Sequence, residues 1–134
     1  MKQKQIPAIH GLAKPPSPFN HVVKANGFLF LSSQLSVDLH THTLLTGAMA
    51  KQTAQSLSNI KFLLESCGAH MEDIVDVTIF MRDVAQFEEM NTVYRTYFKE
   101  GEEPARVTVQ APSPLPGIDI EIKVTVVAPD SDEF

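Results

Sequence analysis

An arginine and a glutamate near the carboxyl end of the chain have the side chains best suited to chemistry on a small acid. Arg106 lies in the segment Pro104-Ala105-Arg106, and Glu121 follows fifteen residues later between two isoleucines. A guanidinium holds a carboxylate through two parallel hydrogen bonds, and a glutamate can orient or deprotonate a water molecule. The pair therefore predicts a pocket in which a small carboxylic acid is attacked by water.

The two residues fall on strands predicted near 105–110 and 119–127, which a proline-rich turn joins. A hairpin about this turn would place Arg106 opposite Glu121, and Thr108 opposite Asp119, on the sheet face away from the helices. Val107 would then point into the core. A cross-strand ion pair, on the order of a few tenths of a kcal/mol, is the alternative interpretation of Arg106 and Glu121.

Local signals predict the elements of the first half. Asn26-Gly27 stands between two apolar runs, which is typical of a β-hairpin. Apolar residues then recur at three- and four-residue spacing between 50 and 67, which predicts a helix. Thr46 is its expected N-cap, and Gly68 its C-terminal cap.

The second half predicts one further helix among strands. Residues 74–81 are β-branched and favour a strand. Asp83 and Gln86 have the spacing of a capping box, which opens a helix that Gly101 is expected to end. The predicted order is β-β-α-β-α-β-β, an α+β arrangement.

Length and composition indicate one globular domain spanning residues 1–134, with 1–18 as an extended arm and 129–134 as a tail. The formal net charge of -5, without a basic cluster, argues against nucleic acid and anionic membranes as partners. No apolar run suits a signal peptide or a membrane span, and Cys67 is the only cysteine. We therefore expect a cytoplasmic location.

Strand patterning predicts a second apolar surface. The last strand is apolar on one face, whereas residues 28–31 and 74–81 are apolar on both. Two helices cover only one side of a sheet, so the other side must meet something apolar, most simply copies of the same chain. We therefore expect a homo-oligomer.

Four segments carry a resemblance to a known family: Pro104-Ala105-Arg106, Ile120-Glu121-Ile122, Ser32-Ser33-Gln34 and Asn91 in the second helix. Together they resemble the RidA/YjgF family, also labelled endoribonuclease L-PSP, over nearly the whole chain. The resemblance implies a chorismate-mutase-like fold with two helices on one face of the sheet. It also implies a homotrimer with small-molecule pockets between subunits.

The activity that the resemblance implies is hydrolysis of reactive 2-enamine and 2-imine acids, such as 2-aminoacrylate and 2-iminobutanoate, to 2-keto acids and ammonia. No metal or organic cofactor is implied. By position, Arg106 would bind the substrate carboxylate and Glu121 would orient the attacking water. The resemblance also implies substrate-binding positions, which are Phe19, Ser32, Ser33, Asn91, Val107 and Thr108.

Several positions depart from the family pattern and indicate a divergent subgroup. Phe19 stands where the family commonly has tyrosine, Ser33 where it has glycine, and Thr108 where it often has cysteine. Prolines between 112 and 116 also replace the usual residues. A non-enzymatic trimer that binds small carboxylates or a protein partner, and an RNA-cleaving translation inhibitor, are the alternative functions. The acidic charge disfavours RNA.

Other reactive side chains have simpler interpretations. His40-Thr41-His42 could ligate a metal, but only Asp38 lies nearby in sequence, so a solvated loop is favoured. Cys67 falls on the apolar stripe of the first helix, which favours a buried thiol over a nucleophile. Tyr94 and Tyr97 fit the core-facing stripe of the second helix.

Overall fold

The computed structural model describes residues 4–129, and within them two α-helices pack on one face of a six-stranded sheet. The α+β class is confirmed, and the short strand Gln34–Leu35 adds to the predicted element order. The elements are β1 (Val22–Ala25), β2 (Phe28–Leu31), β3 (Gln34–Leu35), α1 (Met49–Ser66), β4 (Ile74–Met81), α2 (Phe87–Tyr94), β5 (Ala105–Gln110) and β6 (Ile120–Val127).

The sheet is mixed, with the strand order β1-β2-β6-β4-β5 and with β3 paired to β6. Only β4 and β5 run parallel, whereas the other pairs are antiparallel. Buried aliphatic side chains of β4 and β6 meet those of α1 and α2 in one core. Ile120, Ile122, Val124 and Val126 are all nearly inaccessible, so the predicted apolar face of the last strand is confirmed.

The first hairpin and the end of α1 form as their glycines predict. Asn26 and Gly27 both have positive φ, 52° and 83°, the conformation of the tight turn between β1 and β2. Gly68 also has a positive φ, and its N–H donates to the carbonyl of Glu65. Ala69 N–H donates to the Leu64 carbonyl, which completes a Schellman motif.

The start of α1 differs from the prediction. Thr46 lies outside the helix, which begins at Met49 with Ala48 at the cap position and no side-chain cap there. Instead, a carboxylate oxygen of Glu89, from α2, accepts the N–H of Ala50 at 2.9 Å. A negative charge at a helix N-terminus is stabilising. The cap therefore comes from a residue distant in sequence.

Asp83 caps the segment before α2, as predicted. Its side chain accepts the N–H of Ala85, opening a 3₁₀ turn over residues 84–86. Gln86 contributes its backbone N–H, which donates to the Asp83 carbonyl. The α-helix ends at Tyr94 and passes into a second 3₁₀ turn, so the predicted end at Gly101 is wrong. Gly101 instead lies in the turn that leads to β5.

The predicted hairpin between the last two strands is wrong. β5 pairs in parallel with β4, and β6 occupies the opposite side of β4. α2 returns the chain so that β4, α2 and β5 form a βαβ unit. Residues 111–119 then cross the end of β4. Ala111 N–H donates to the Met81 carbonyl, and Arg82 N–H donates to the Asp119 carbonyl.

This topology reverses the predicted orientation of the β5 side chains. Arg106 pairs with Val77, and Thr108 pairs with Ile79. Side chains of directly paired residues share a face of the sheet. Arg106 and Thr108 therefore lie on the helix-covered side, and Val107 faces the other way.

The face without helices carries an apolar surface, which we call the uncovered face. Val107 and Val109 are 52% and 41% exposed there, and Phe30 is 42% exposed. Phe28 and Val127, which pair with each other across β2 and β6, extend this surface. The second apolar surface expected from the strand patterns is therefore present.

The chain ends add little regular structure. Within residues 4–18 the one β-contact is a bridge between Gln5 and Lys24. Of the expected tail, only Pro129 lies among the described residues. Neither helix within residues 4–129 is long and apolar enough to cross a membrane.

Candidate active site

Arg106 is held at the edge of the sheet by α2. Its Nη1 donates to the Oδ1 of Asn91 at 2.7 Å. The carbon at the centre of its guanidinium lies 4.7 Å from the Tyr94 ring centroid and 5.4 Å from that of Phe87. The hydrogen bond and the two cation–π contacts fix the orientation of the guanidinium. We call Arg106, Asn91, Phe87 and Tyr94 the arginine cluster.

An open cleft of about 310 Å³ lies at the arginine cluster, where Arg95, Glu103 and Pro104 also line it. The Tyr94 hydroxyl is buried and has no hydrogen-bond partner among the described residues. Burial raises the pKa of Tyr94 to about 12, although the positive charge of Arg106 opposes this rise. The hydroxyl therefore stays protonated at neutral pH.

Glu121 lies near the middle of the sheet, on the uncovered face. It pairs with Leu35 of β3 on one side and with Phe80 of β4 on the other. Ser33 Oγ donates to its Oε1 at 2.8 Å. The carboxylate is partly buried, so this hydrogen bond restricts its orientation while the second oxygen can hold water.

Ser32 has a different role from its neighbour. Its Oγ donates to the Asn20 carbonyl at 2.7 Å, and its N–H donates to the His21 carbonyl. Gln34 Nε2 donates to the Ser32 carbonyl. Ser32 therefore ties the segment before β1 to the end of β2, and Ser33 is the serine whose side chain reaches Glu121.

A cavity of about 320 Å³ adjoins Ser33. Phe19 lines it, with its ring edge-on to that of His21 at a centroid distance of 5.7 Å. Leu115, from the connection before β6, lines it as well. Burial lowers the pKa of His21, and the nearby His42 lowers it further. We call Glu121, Ser33 and Phe19, together with this cavity, the glutamate cluster.

The two clusters are separate within one chain. β4 lies between β5 and β6, so Arg106 and Glu121 are on strands about 10 Å apart. Their side chains also leave opposite faces of the sheet. Thr108 follows Arg106 on the helix-covered side, and Val107 points to the uncovered face. The predicted face-to-face contact of Arg106 and Glu121 is therefore wrong for a single chain.

A sequence model of endoribonuclease L-PSP matches residues 11–128. The chain belongs to the endoribonuclease L-PSP family. A RutC family protein of Pyrococcus horikoshii is 37% identical over 125 residues, which cover 93% of this chain and 97% of that protein. A Dermatophagoides farinae protein named 2-iminobutanoate/2-iminopropanoate deaminase is 30% identical over 127 residues, covering 95% and 98%. The resemblance to RidA/YjgF is confirmed.

Solved structures share the fold of this endoribonuclease L-PSP family member. A protein of the conserved Rid family from Yersinia pestis superposes with a TM-score of 0.86 at 30% identity, covering 93% of this chain and 99% of that one. TdcF of E. coli, solved with bound serine, superposes with a TM-score of 0.82 at 25% identity and covers 93% and 99%.

Some residues at the two clusters of this endoribonuclease L-PSP family member were not predicted from sequence to lie there. Tyr94 was expected only in the core, yet the rings of Phe87 and Tyr94 both contact the guanidinium of Arg106. Their spacing from Asn91, four and three residues, places all three on one helix face and could have indicated it. His21 follows Phe19 by two residues, which places both on one side of an extended segment.

The alternative reactive groups are structural. Asp38 accepts the N–H groups of His40 and Thr41, and these bonds lower its pKa. Across residues 4–129, no group of three or more His, Cys, Asp or Glu side chains is placed to hold a metal ion. Cys67 is buried, as predicted, and burial raises the pKa of its thiol. A raised pKa disfavours the nucleophilic thiolate.

Proposed function

We propose that this protein hydrolyses 2-imino acids to 2-keto acids and ammonia, at a site completed between subunits. One observation carries the proposal. The carboxylate-binding group, Arg106, and the water-orienting group, Glu121, are each held in place, yet they lie apart on opposite faces of one sheet. Each chain then supplies one part of two different sites.

The uncovered face provides a surface through which Arg106 of one copy can be brought beside Glu121 of another. Val107 and Val109 project from the edge strand β5, and Phe28 and Phe30 project from β2 on the other side of the sheet. If the β5 edge of one copy packs on the uncovered face of the next, these side chains leave water. Such a head-to-tail contact forms a closed ring when the rotation between successive copies is one third of a turn. We propose a homotrimer, as the family resemblance implies.

In the proposed reaction, Arg106 binds the carboxylate of the substrate. Glu121, oriented by Ser33, takes a proton from water while the water oxygen bonds to the imine carbon. The imine nitrogen gains that proton in the resulting carbinolamine. The C–N bond then breaks, ammonia leaves with a second proton, and the water oxygen becomes the keto oxygen. An enamine first gains a proton at C3 and loses one from its nitrogen, which gives the imine. Positioning supplies much of the rate, since an imine carbon is already electrophilic.

Two relatives support this choice of substrate. The Dermatophagoides farinae relative is named as a deaminase of 2-iminobutanoate and 2-iminopropanoate. TdcF was solved with serine, a small acid whose nitrogen is on the carbon next to the carboxylate. The 2-imino acids share this arrangement of nitrogen and carboxylate.

The test uses imines generated in the assay by a threonine dehydratase, with the appearance of the keto acid followed over time. The wild type is expected to accelerate keto-acid release. Arg106→Ala should lower kcat/KM by at least about 100-fold, because a charged partner of the substrate is lost. Glu121→Gln should lower kcat by roughly 100-fold or more. No acceleration by the wild type would refute the deaminase proposal.

Mixing the two inactive variants tests the shared site. In a trimer assembled at random from equal amounts of Arg106→Ala and Glu121→Gln, about one quarter of the interfaces combine an intact arginine with an intact glutamate. Co-refolding should therefore restore about one quarter of wild-type activity. Each variant, refolded without the other, serves as a control. Failure of the mixture to recover activity, with mixed trimers shown to form, would refute a site shared between subunits.

A non-enzymatic carboxylate-binding trimer is the second candidate. Phe19 lacks a hydroxyl for substrate or water, and Ser33 already occupies one oxygen of Glu121. Tight binding of 2-oxobutanoate without any turnover of the imine would favour this candidate. RNA cleavage, which the family label suggests, is disfavoured by the net charge of -5.

A further inference from the structure

The cavity of the glutamate cluster has a definite size and lining that the proposed reaction alone does not explain. We propose that this cavity receives the side chain of the 2-imino acid, and that the preferred side chain is branched aliphatic or aromatic. The inference rests on the proposed function, because the substrate's reacting carbon must lie beside Glu121. The cavity adjoins that carboxylate through Ser33, which both lines the cavity and bonds Glu121.

The size of the cavity favours a substrate side chain larger than methyl or ethyl. A water molecule takes up about 30 Å³ in the liquid, so the cavity of about 320 Å³ has room for about ten. The side chain of 2-iminopropanoate is one methyl group, and that of 2-iminobutanoate is an ethyl group. Either would leave most of the cavity filled with water. The side chains of the imines derived from leucine and phenylalanine, with four and seven carbons, would displace much more.

The lining is the second argument. Phe19, Leu39 and Leu115 line the cavity with apolar groups from three parts of the chain, which are the segment before β1, the loop after β3 and the connection before β6. Phe19 is 42% exposed, so much of its ring remains free to contact a ligand. Displacing water from such walls by an apolar group is favourable in proportion to the area buried. An aromatic substrate would also gain ring contacts with Phe19.

The histidines that line the cavity disfavour a substrate with a negatively charged side chain. His21 and His42 line the cavity on one side. Burial, with the help of His42, lowers the pKa of His21 below its usual value, so its imidazole is neutral at pH 7. A neutral imidazole gives no charge to balance a second carboxylate. The imine derived from glutamate should therefore be a poor substrate.

Competing imines test the preference. An L-amino-acid oxidase generates them from alanine, leucine, phenylalanine and glutamate, and semicarbazide traps what the protein does not hydrolyse. The expected kcat/KM for the leucine- and phenylalanine-derived imines exceeds that for the alanine-derived imine by at least about tenfold. A kcat/KM that is equal or higher for the alanine-derived or glutamate-derived imine would overturn the inference.

Substitution of a cavity-lining residue tests whether the cavity determines the preference for larger imines. Leu115→Ala should lower kcat/KM about tenfold more for the leucine-derived imine than for the alanine-derived one. Leu44→Ala is the matched control, because Leu44 is 39% exposed on the same loop as His42 and does not line the cavity. Equal losses for both imines in Leu115→Ala would show that the cavity does not hold the side chain.

Binding of stable keto acids separates this inference from the proposed function. Calorimetric titration with 4-methyl-2-oxopentanoate and pyruvate needs no turnover. Tighter binding of the larger acid, reduced by Leu115→Ala, supports the assignment of the cavity even if no imine is hydrolysed, in which case only the deaminase proposal fails. Tighter binding of pyruvate would overturn the cavity's assignment even if the protein is a deaminase.

Discussion

Arg106 and Asn91 are joined by a 2.7 Å hydrogen bond that spans from the edge strand β5 to the helix α2. The amide accepts from one of the five N–H groups of the guanidinium. Because the rings of Phe87 and Tyr94 hold the same guanidinium, its direction is set before any ligand arrives. Preorganisation of this kind lowers the entropy lost on binding.

Removal of the Asn91 amide should therefore weaken carboxylate binding. In Asn91→Ala, the Kd for 2-oxobutanoate should rise about tenfold, the loss of a hydrogen bond to a charged group. Asn91→Asp should raise it further, because its carboxylate competes with the ligand for Arg106. Calorimetric titration measures both. Thr92→Ala, one residue along α2 and exposed, is the control. Unchanged affinity in both Asn91 variants would show that the hydrogen bond has no part in binding.

Adjacent serines should have different effects. Ser33→Ala removes the hydroxyl that donates to Glu121, and kcat for imine hydrolysis should fall by about 3- to 10-fold. Ser32→Ala removes a bond to the Asn20 carbonyl instead, so its main effect should be a lower free energy of unfolding. Steady-state kinetics and urea titration distinguish the two. A fall in kcat that is larger in Ser32→Ala would contradict the assignment of Ser33.

A charge on the uncovered face should break the oligomer. Val107→Asp would place a carboxylate in the proposed contact, and sedimentation velocity should show a shift from trimer to monomer. Val84→Asp is the matched control, since Val84 is 48% exposed and Val107 is 52% exposed, but Val84 lies in the turn before α2. If Val107→Asp sediments as the wild type does, the β5 edge is not the contact.

The lowered pKa of His21 predicts a loss of stability in mild acid. The unfolded chain takes up a proton near pH 6.5, the ordinary histidine value, whereas the folded chain resists it until lower pH. The contribution of His21 is therefore complete above about pH 6.5 and is lost as the pH falls through the folded pKa. Urea unfolding at about pH 7.5 and pH 5 should show a smaller pH dependence in His21→Gln than in the wild type.

An exposed histidine provides the comparison for that experiment. His10 lies on the surface of the N-terminal arm. His10→Gln should keep the wild-type difference in the free energy of unfolding between the two pH values. If His21→Gln keeps it as well, burial of His21 does not control the acid response.

The parts of the fold that short sequence patterns encode were predictable. Asn26-Gly27 specifies a turn by its own backbone preference, and Gly68 specifies a helix end in the same way. Thr46 is not the cap, because Glu89 serves that role from 39 residues beyond Ala50, whose N–H it accepts. Such a contact depends on the packing of two helices, which no local pattern contains.

The candidate site was predictable in its residues but not in its geometry. Arg106 and Glu121 are the residues to which the proposed reaction assigns the chemistry, and their types are evident from sequence. The relative placement of Arg106 and Glu121 depends on which strand pairs with β5. That pairing is set by contacts between residues distant in sequence. Alternation was correct on both strands, but a parallel pairing with β4 inverted the faces assigned to Arg106 and Val107.

The position of β6 has a consequence for how the protein is made. The strand in the middle of the sheet, between β2 and β4, is the last regular element within residues 4–129. During synthesis the edges of β2 and β4 that later pair with β6 therefore stay unpaired until residues 120–127 have left the ribosome. Unpaired apolar edges invite aggregation. A nascent chain that stalls before residue 120 can form only two separate strand pairs, β1 with β2 and β4 with β5, so chaperone binding should be strongest at that stage.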